Sequence, residues 1–438
     1  MEEKMLSAPR GTRDFLPDEK RVRDLVVTSI RKQFERFGFE PLETPAIERF
    51  DVLANKFAGG EEILKEVFQF QDQGARALGL RYDFTVPMCR VVADNPRMPM
   101  PFKRYQMGPV WRDGPLKAGR YREFTQCDAD ISGSKYMIAD AEIIALTKQI
   151  LNTWFNQKFA IRLSNRKILS SLLESSGIPK EKTNTVMLSL DKLEKIGLSN
   201  VIKELKENGI PVNTSEKIVA LTSLKGTNET ILSELGKNAK TEQGKEGVRE
   251  LKEVMELAKQ LGAGDVIQID PSLARGLNYY TSTIFEAFLN EGPVTSSVAA
   301  GGRYDDIIQK FTGKQSVPAV GISFGLDVIC EIIKQTPSLP VSEKTKVFII
   351  PISKEPDSKA LAFSLEIART LRTLEVNTAI DLMQRSPSKN LDYASRKGFK
   401  YALLIGEKEA AQQKVTVKEL ATGKEELLPV KDALRHLN

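Results

Sequence analysis

Histidine is almost missing from this chain. Among 438 residues it occurs once, as His436, two residues from the end. Mechanisms that need a histidine base, nucleophile or metal ligand are therefore nearly excluded, among them Ser-His-Asp hydrolases, histidine kinases and most zinc hydrolases. Cysteine is scarce as well: Cys89, Cys127 and Cys330, with no CxxC pair. Neither a disulfide framework nor a cysteine-based zinc site fits that usage, which suits a reducing cytosol. No apolar run approaches the roughly 20 residues needed to cross a bilayer. The opening MEEKMLSAPRGTRD carries charge where a secretory signal has an apolar core. A cytoplasmic protein without membrane contact is expected. The chain also lacks a GxxxxGK[ST] phosphate loop and a GxGxxG fingerprint. A nucleotide, if bound, must be held by arginines and a sheet rather than by a glycine-rich loop. With no His/Cys ligand set, any metal would be Mg²⁺ on carboxylates and phosphates.

What is present describes a large globular chain. Hydrophobic and charged contents of 41% and 28% are ordinary, so packed cores are expected. The length predicts about two to four domains. A net charge of +6 permits a nucleic-acid partner without requiring one. Val22, Leu25, Val26, Ile30 and Phe34 recur at helical spacing and predict a helix over about 19–37. From about 64 to 131 the pattern reads as strands: EVFQFQ, LRYDFTV, then long strands at 102–112 and 122–131. An amphipathic helix is expected over 135–157. Residues 168–262, rich in Lys, Glu and Leu, read as a helical insertion. Strands resume over 265–301, followed by a helix at 304–311. After the Pro/Ser/Lys segment KQTPSLPVSEKT, strand and helix alternate to the end, which argues for a small α/β domain.

Several stretches stand out, most of them for polar groups where a core would not hold them. In the strand over 122–131, Arg122, Phe124, Gln126, Asp128 and Asp130 share one face, because side chains alternate along a strand. Two carboxylates and an amide in a row are costly to bury unpartnered. They form either the floor of a polar pocket or the outer face of a solvated hairpin. In LRYDFTVP, read as a strand, Arg81, Asp83 and Thr85 share a face, which is either exposed or turned toward a zwitterion. Arg112 stands where the 102–112 strand enters the loop DGPLKAGRY, which also holds Lys117 and Arg120 and could grip phosphate. LARGLNYYTSTIFEA, 273–287, runs a lone arginine into a strand with two tyrosines; it is either packing or one wall of a site. The double glycine of AAGGRYDDII makes a tight turn or lets backbone approach a ligand.

Taken in order, these segments resemble the class II aminoacyl-tRNA synthetases and, within them, the histidyl enzymes. APRGTRDFLP resembles the family's opening, and GFEPLETPAIE its motif 1, with Pro45 in the interface strand. RYQMGPVWRDGPLKAGRYREFTQCDADI resembles motif 2, and LARGLNYYTSTIFEA the stretch peculiar to the histidine enzyme. AAGGRYDDII and PAVGISFGLDVI resemble the region up to motif 3. The resemblance implies an α+β fold: an antiparallel sheet flanked by helices, a helical insertion and a C-terminal α/β anticodon-binding domain. It implies a catalytic core at 1–167 and 263–335, the insertion at 168–262, a linker at 336–345 and the anticodon-binding domain at 346–438.

By that resemblance, ATP (with Mg²⁺) and L-histidine would form histidyl-adenylate, and the acyl group would pass to the 3′ end of tRNA(His). Arg112 and Arg275 would grip the ATP α-phosphate from two sides. Asp83, Thr85 and Gln126 would receive the α-amino group; Asp130 and Tyr280 would bind the imidazole. Arg120 and Lys117 would meet the tRNA acceptor end, and the protein would be a homodimer. No metal ligand is assigned. Asp83 stands where the family usually has glutamate, Asn278 and Ser282 where aspartate and glycine are common, and Val328 where motif 3 usually has an arginine. The competing reading is an inactive histidine-sensing paralogue, a regulatory subunit of ATP phosphoribosyltransferase. Arg112, Arg275 and the 346–438 region, which such paralogues tend to lose, argue against it.

Overall fold

The structure is a computed structural model. It describes residues 6–54, 64–116, 121–274, 279–292, 295–313, 316–335, 346–353, 355 and 358–437. The chain divides into two compact units, Met1–Leu339 and Pro340–Asn438.

The first unit is built on a large sheet. Its strands are β1 (Glu40–Pro41), β5 (Phe102–Trp111), β6 (Glu123–Ser132), β7 (Phe159–Asn165), β8 (Ile267–Ile269), β9 (Thr283–Leu289), β10 (Ala299–Arg303) and β11 (Ala319–Gly325). They lie in the order β1-β5-β6-β11-β10-β9-β7-β8. The six inner strands run antiparallel, and β1 and β8 add parallel at the two edges. A separate three-stranded sheet joins β2 (Ile47–Arg49), β3 (Gln69–Gln71) and β4 (Ala77–Leu80).

Alternation along β6 decides which face is dry. Cys127, Ala129 and Ile131 point into the main core, where they meet Val26, Ile30 and Phe34 of the helix Pro17–Arg36 and Ile143 and Leu146 of the helix Ile138–Phe155. Gln126, Asp128 and Asp130 therefore face the other way. The helix Pro17–Arg36 starts with proline at its first position and Asp18 and Glu19 in its first turn, which suits the free N–H groups and dipole there. The helix Ile138–Phe155 is less amphipathic than expected. It is buried on nearly all sides because it lies between the sheet and the helix Glu242–Gln260.

One expected strand is a helix. The pattern LRYDFTV leaves the strand after Leu80, and Thr85–Asp94 is helical. The cause is local: Asp83 Oδ1 accepts from Val86 N at 3.1 Å, satisfying a first-turn N–H. Pro87 sits within the same turn, where its missing N–H costs nothing. Arg81 accordingly does not share a face with Asp83 and Thr85. Its guanidinium donates to Thr44 O (2.6 Å) and Pro109 O (3.1 Å).

Helices fill 166–260. The first and last of them, Arg166–Ser175 and Glu242–Gln260, place Ile168, Leu172, Leu251, Val254 and Ala258 in the main core. Those between Lys180 and Thr222 close a smaller core around Val186, Leu190, Val201, Leu205 and Ile218, together with Leu173 of the first helix, while Asn228–Asn238 adds Ile231 and Leu235 to the main core.

The second unit has a five-stranded sheet of β12 (Val347–Pro351), β13 (Thr378–Ile380), β14 (Tyr401–Ile405), β15 (Lys414–Glu419) and β16 (Glu425–Pro429), ordered β13-β12-β14-β15-β16. Strand β12 pairs parallel with both neighbours, and the β15–β16 hairpin is antiparallel. Two helices go beyond the sequence reading: Glu407–Gln412 and Val430–Leu437 are too short to show a period.

Candidate active site

The open face of the large sheet carries a cleft of about 320 Å³. Six of the residues singled out from the sequence line it together: Asp83, Thr85, Arg112, Gln126, Asp130 and Tyr280. They come from separate elements. Asp83 lies in the turn after β4, and Thr85 opens the following helix. Arg112 follows β5, Gln126 and Asp130 are on β6, and Tyr280 precedes β9. Phe124, Asp128, Tyr279, Ser323 and the backbone of β10 and β11 complete the lining. Arg275, Lys117 and Arg120 lie outside the described residues, as does Asn278. The described residues that flank the segment 275–278, Ala274 and Tyr279, are buried. Arg122 does not join the cleft; it precedes β6 and pairs with Asp113 at 3.1 Å.

Strand register sets the floor. Arg104, Asp130, Gly321 and Gly302 lie side by side across β5, β6, β11 and β10. Arg104 is fully buried, donates to Phe84 O at 3.1 Å, and sets Nη2 2.6 Å from Asp130 Oδ2. Tyr304 donates its hydroxyl to Asp130 Oδ1. The glycines leave space rather than make a turn. A Cβ on Gly321 would lie 1.9 Å from Asp130 Oδ1, and one on Gly302 would lie 2.8 Å from the Tyr280 ring. Of the two readings of Gly301-Gly302, the tight turn fails: both lie in strand β10, kept bare by its neighbours.

Three carboxylates, Asp83, Asp128 and Asp130, face two guanidiniums, Arg104 and Arg112. Burial pushes Asp83 up to about 6, against the Val86 N–H, Arg112 and Arg104. Burial pushes Asp128 up to about 8, against Arg104 and a Ser323 hydrogen bond and aided by Asp130. Asp130 is also raised by burial, opposed by Arg104 and Tyr304. With Asp128 ionised, such a cleft suits a cation. Arg112 supplies the opposite charge at one end. Its Nε donates to Tyr82 O at 3.1 Å and its guanidinium lies 5.2 Å over the Phe124 ring, which fixes its plane. Tyr279 stacks 4.6 Å from Tyr280 and meets Tyr304 edge-on at 5.8 Å.

The segment bearing the tyrosines is tied from behind. Ser282 Oγ donates to Glu250 Oε2 at 2.5 Å, on the helix Glu242–Gln260. Asn165 Nδ2 and Lys167 Nζ donate to the same carboxylate at 3.0 and 2.6 Å. Burial raises the Glu250 carboxyl, and hydrogen bonds from Lys167, Ser282 and Asn165 outweigh it, so the net shift is downward.

Three residues escaped the sequence reading of the site: Arg104, Tyr304 and Ser323. Arg104 and Gln106 alternate with Tyr105 and Met107, a period-two signal that marks the same open face as β6. Asp128 lay on the polar face but had no role. Val328 packs against the main core, while its neighbour Asp327 takes Arg13 at 2.5 Å and Arg23 at 2.7 Å.

A family model described as Histidyl-tRNA synthetase matches residues 11–329, and one described as Anticodon binding domain matches 346–438. A Bacillus cereus protein named Histidine–tRNA ligase 1 is 40% identical over 432 residues, covering 98% of each chain. The crystal structure of histidyl-tRNA synthetase from Nostoc sp. PCC 7120 superposes with a TM-score of 0.84 at 31% identity, covering 99% of each chain. An ATP phosphoribosyltransferase regulatory subunit/histidyl-tRNA synthetase from Bacillus halodurans shares the fold, with a TM-score of 0.76 at 21% identity over 92% of this chain and 99% of that one. A central sheet with this cleft, followed by an anticodon-binding unit, is the architecture of an aminoacyl-tRNA synthetase. Full-length matches narrow the class: this chain belongs to the histidyl-tRNA synthetase family.

Proposed function

We propose that this chain ligates L-histidine to the 3′ end of tRNA(His) through a histidyl-adenylate. The observation that carries the reading is the convergence of Asp83, Thr85, Gln126, Asp130, Tyr280 and Arg112 on one cleft in a chain of this family. A histidine carboxylate oxygen attacks the ATP α-phosphorus, and pyrophosphate leaves. The 3′-hydroxyl of the terminal adenosine then attacks the acyl carbon, and AMP leaves. The nucleophile of the first step is already anionic, so no protein base is needed, in keeping with the single histidine.

Arg112 and Arg275 stabilise the charge that develops on the α-phosphate. Asp83, Thr85 and Gln126 receive the α-amino group. Asp130, fixed by Arg104 and Tyr304, and Tyr280 bind the two imidazole nitrogens. A ring lacking those nitrogens leaves buried polar groups unpaired, which discriminates strongly. Lys117 and Arg120 meet the acceptor end, and the 346–438 unit meets the anticodon. Among the described residues no group of three or more carboxylate, cysteine or histidine side chains could hold a metal. Mg²⁺ would ride on the ATP phosphates, as the family implies, and no step here runs through it. The enzyme works as a cytoplasmic homodimer. The histidine-sensing regulatory reading is disfavoured by Arg112 in the cleft and by the match over 346–438. The test is pyrophosphate exchange into ATP against all twenty amino acids: exchange with histidine alone is expected, and none with histidine refutes the reading.

A further inference from the structure

Three carboxylate or amide oxygens of the cleft have no hydrogen-bond donor among the described residues; Asp130 Oδ2 has the Arg104 guanidinium beside it, and the other two have no ion pair either. Gln126 Oε1 and Asp128 Oδ1 are buried and without a hydrogen-bond partner among the described residues, and both side chains line the cleft. They stand two residues apart on the open face of β6. Gln126 directs its amide nitrogen to Ser323 Oγ at 2.9 Å, which aims its oxygen elsewhere. Asp128 also meets the Ser323 hydroxyl, leaving Oδ1 unmatched.

Each of the other carboxylates already has a protein partner on at least one oxygen, and Asp83 keeps its share in the ammonium site. Asp83 Oδ1 holds the Val86 N–H. Asp130 has Tyr304 on one oxygen and Arg104 beside the other. A buried acceptor left unpaired is unfavourable, so the arrangement is completed by a ligand that brings donors. Once Asp128 is ionised, three carboxylates stand against Arg104 and Arg112, and a cationic ligand restores the balance. A primary ammonium has three N–H donors spread tetrahedrally, enough for both oxygens with one to spare. We propose that Asp128, together with Gln126, binds the α-ammonium of the histidine substrate. The assignment rests on the histidine-ligase reading above.

It carries a proton with it. Asp128 faces Arg104 on β5, Asp130 on its own strand and Asp83 in the turn after β4, and burial sets its carboxyl near 8, so it is mostly protonated in the empty cleft at neutral pH. Docking converts Asp128–COOH and the incoming –NH₃⁺ into a carboxylate–ammonium pair and releases one proton to water. Histidine affinity then strengthens as pH rises toward 8.

The experiment is calorimetric titration of the full-length protein with L-histidine and with deamino-histidine, which keeps ring and carboxylate but lacks the ammonium. It is run from about pH 6.5 to about 8.5 in buffers of different ionisation enthalpy. For the wild type, proton release and tightening with pH are expected for histidine and not for the deamino compound; the shared imidazole cancels in that comparison. In Asp128→Asn, with the melting temperature retained, histidine should weaken about tenfold or more. Its proton release and its advantage over the deamino compound should vanish. Equal histidine affinity and pH slope in Asp128→Asn overturn the assignment. So does equal weakening of both ligands, which would place Asp128 with the ring or the fold. Wild-type protein that releases no proton on binding histidine overturns it without any variant. Failure of the wild type to bind histidine at all is a different outcome and brings down the ligase reading itself.

Discussion

Arg104→Leu tests how the floor of the cleft is held. Arg104 is fully buried and sits among Asp83, Asp128 and Asp130, whose carboxyls it holds below where burial alone would put them. Removing one partner of a buried ion pair costs about 3–5 kcal/mol, because the remaining charge is stranded. That cost depends on pH. Without Arg104 the three folded-state carboxyls rise further above their unfolded values. A carboxyl raised in the folded state contributes stability that is present at low pH and lost as pH rises through its folded value. The unfolded state is common to both proteins, so the deficit opens as pH rises past the wild-type folded values, near 6 for Asp83 and near 8 for Asp128. At roughly 2 °C per kcal/mol for a unit of this size, the variant should melt roughly 6–10 °C below the wild type at pH 8. Near pH 5 the deficit should shrink to a few degrees, since protonated carboxyls need no counter-charge. Paired melting curves at the two pH values decide the matter. An equal deficit at both would mean that Arg104 matters by packing, and the electrostatic account would be refuted.

Three further outcomes follow from the same geometry. Gly321→Ala puts a methyl into Asp130, so the Michaelis constant for histidine in pyrophosphate exchange should rise about tenfold or more with smaller change for ATP; an unchanged constant would count against Asp130 as the ring-binding residue. Arg112→Ala should lower kcat for exchange by about 10²–10³ and leave calorimetric histidine binding within a few-fold, since its task is the phosphate; retained exchange would remove it from the chemistry. Glu250→Gln keeps the shape but not the charge that Lys167, Asn165 and Ser282 share. Exchange activity should fall severalfold while far-UV circular dichroism is unchanged, and full activity would mean that the tether behind Tyr280 does not position it.

The sheet face was the most legible part of the site. Gln126, Asp128 and Asp130 follow from alternation alone, and they do line the cleft. Arg81 was misplaced because DFTV has the composition of a strand, and only the Asp83 side chain on Val86 N reveals the helix start. Arg104 and Gly321 acquire meaning only through register with Asp130, and no local pattern shows which strands will be neighbours. The Glu250–Ser282 bond joins residues 32 apart across a block that reads from sequence simply as charged helices. The second unit was read nearly strand by strand because each β-branched run there is flanked by its own turn signals.

The bare backbone of β10 and β11 makes the cleft asymmetric toward change. Glycine has no smaller replacement, so any substitution at Gly301, Gly302 or Gly321 narrows the space and none widens it. A descendant of this chain that accepted a larger ring would have to alter Tyr280 or Tyr304 instead, and Tyr304 is bonded to Asp130, which is bonded in turn to the row begun by Arg104. Shrinking the site takes one step; enlarging it means rebuilding a charge network. Drift through single substitutions therefore leads toward a smaller or empty cleft far more readily than toward a new amino acid.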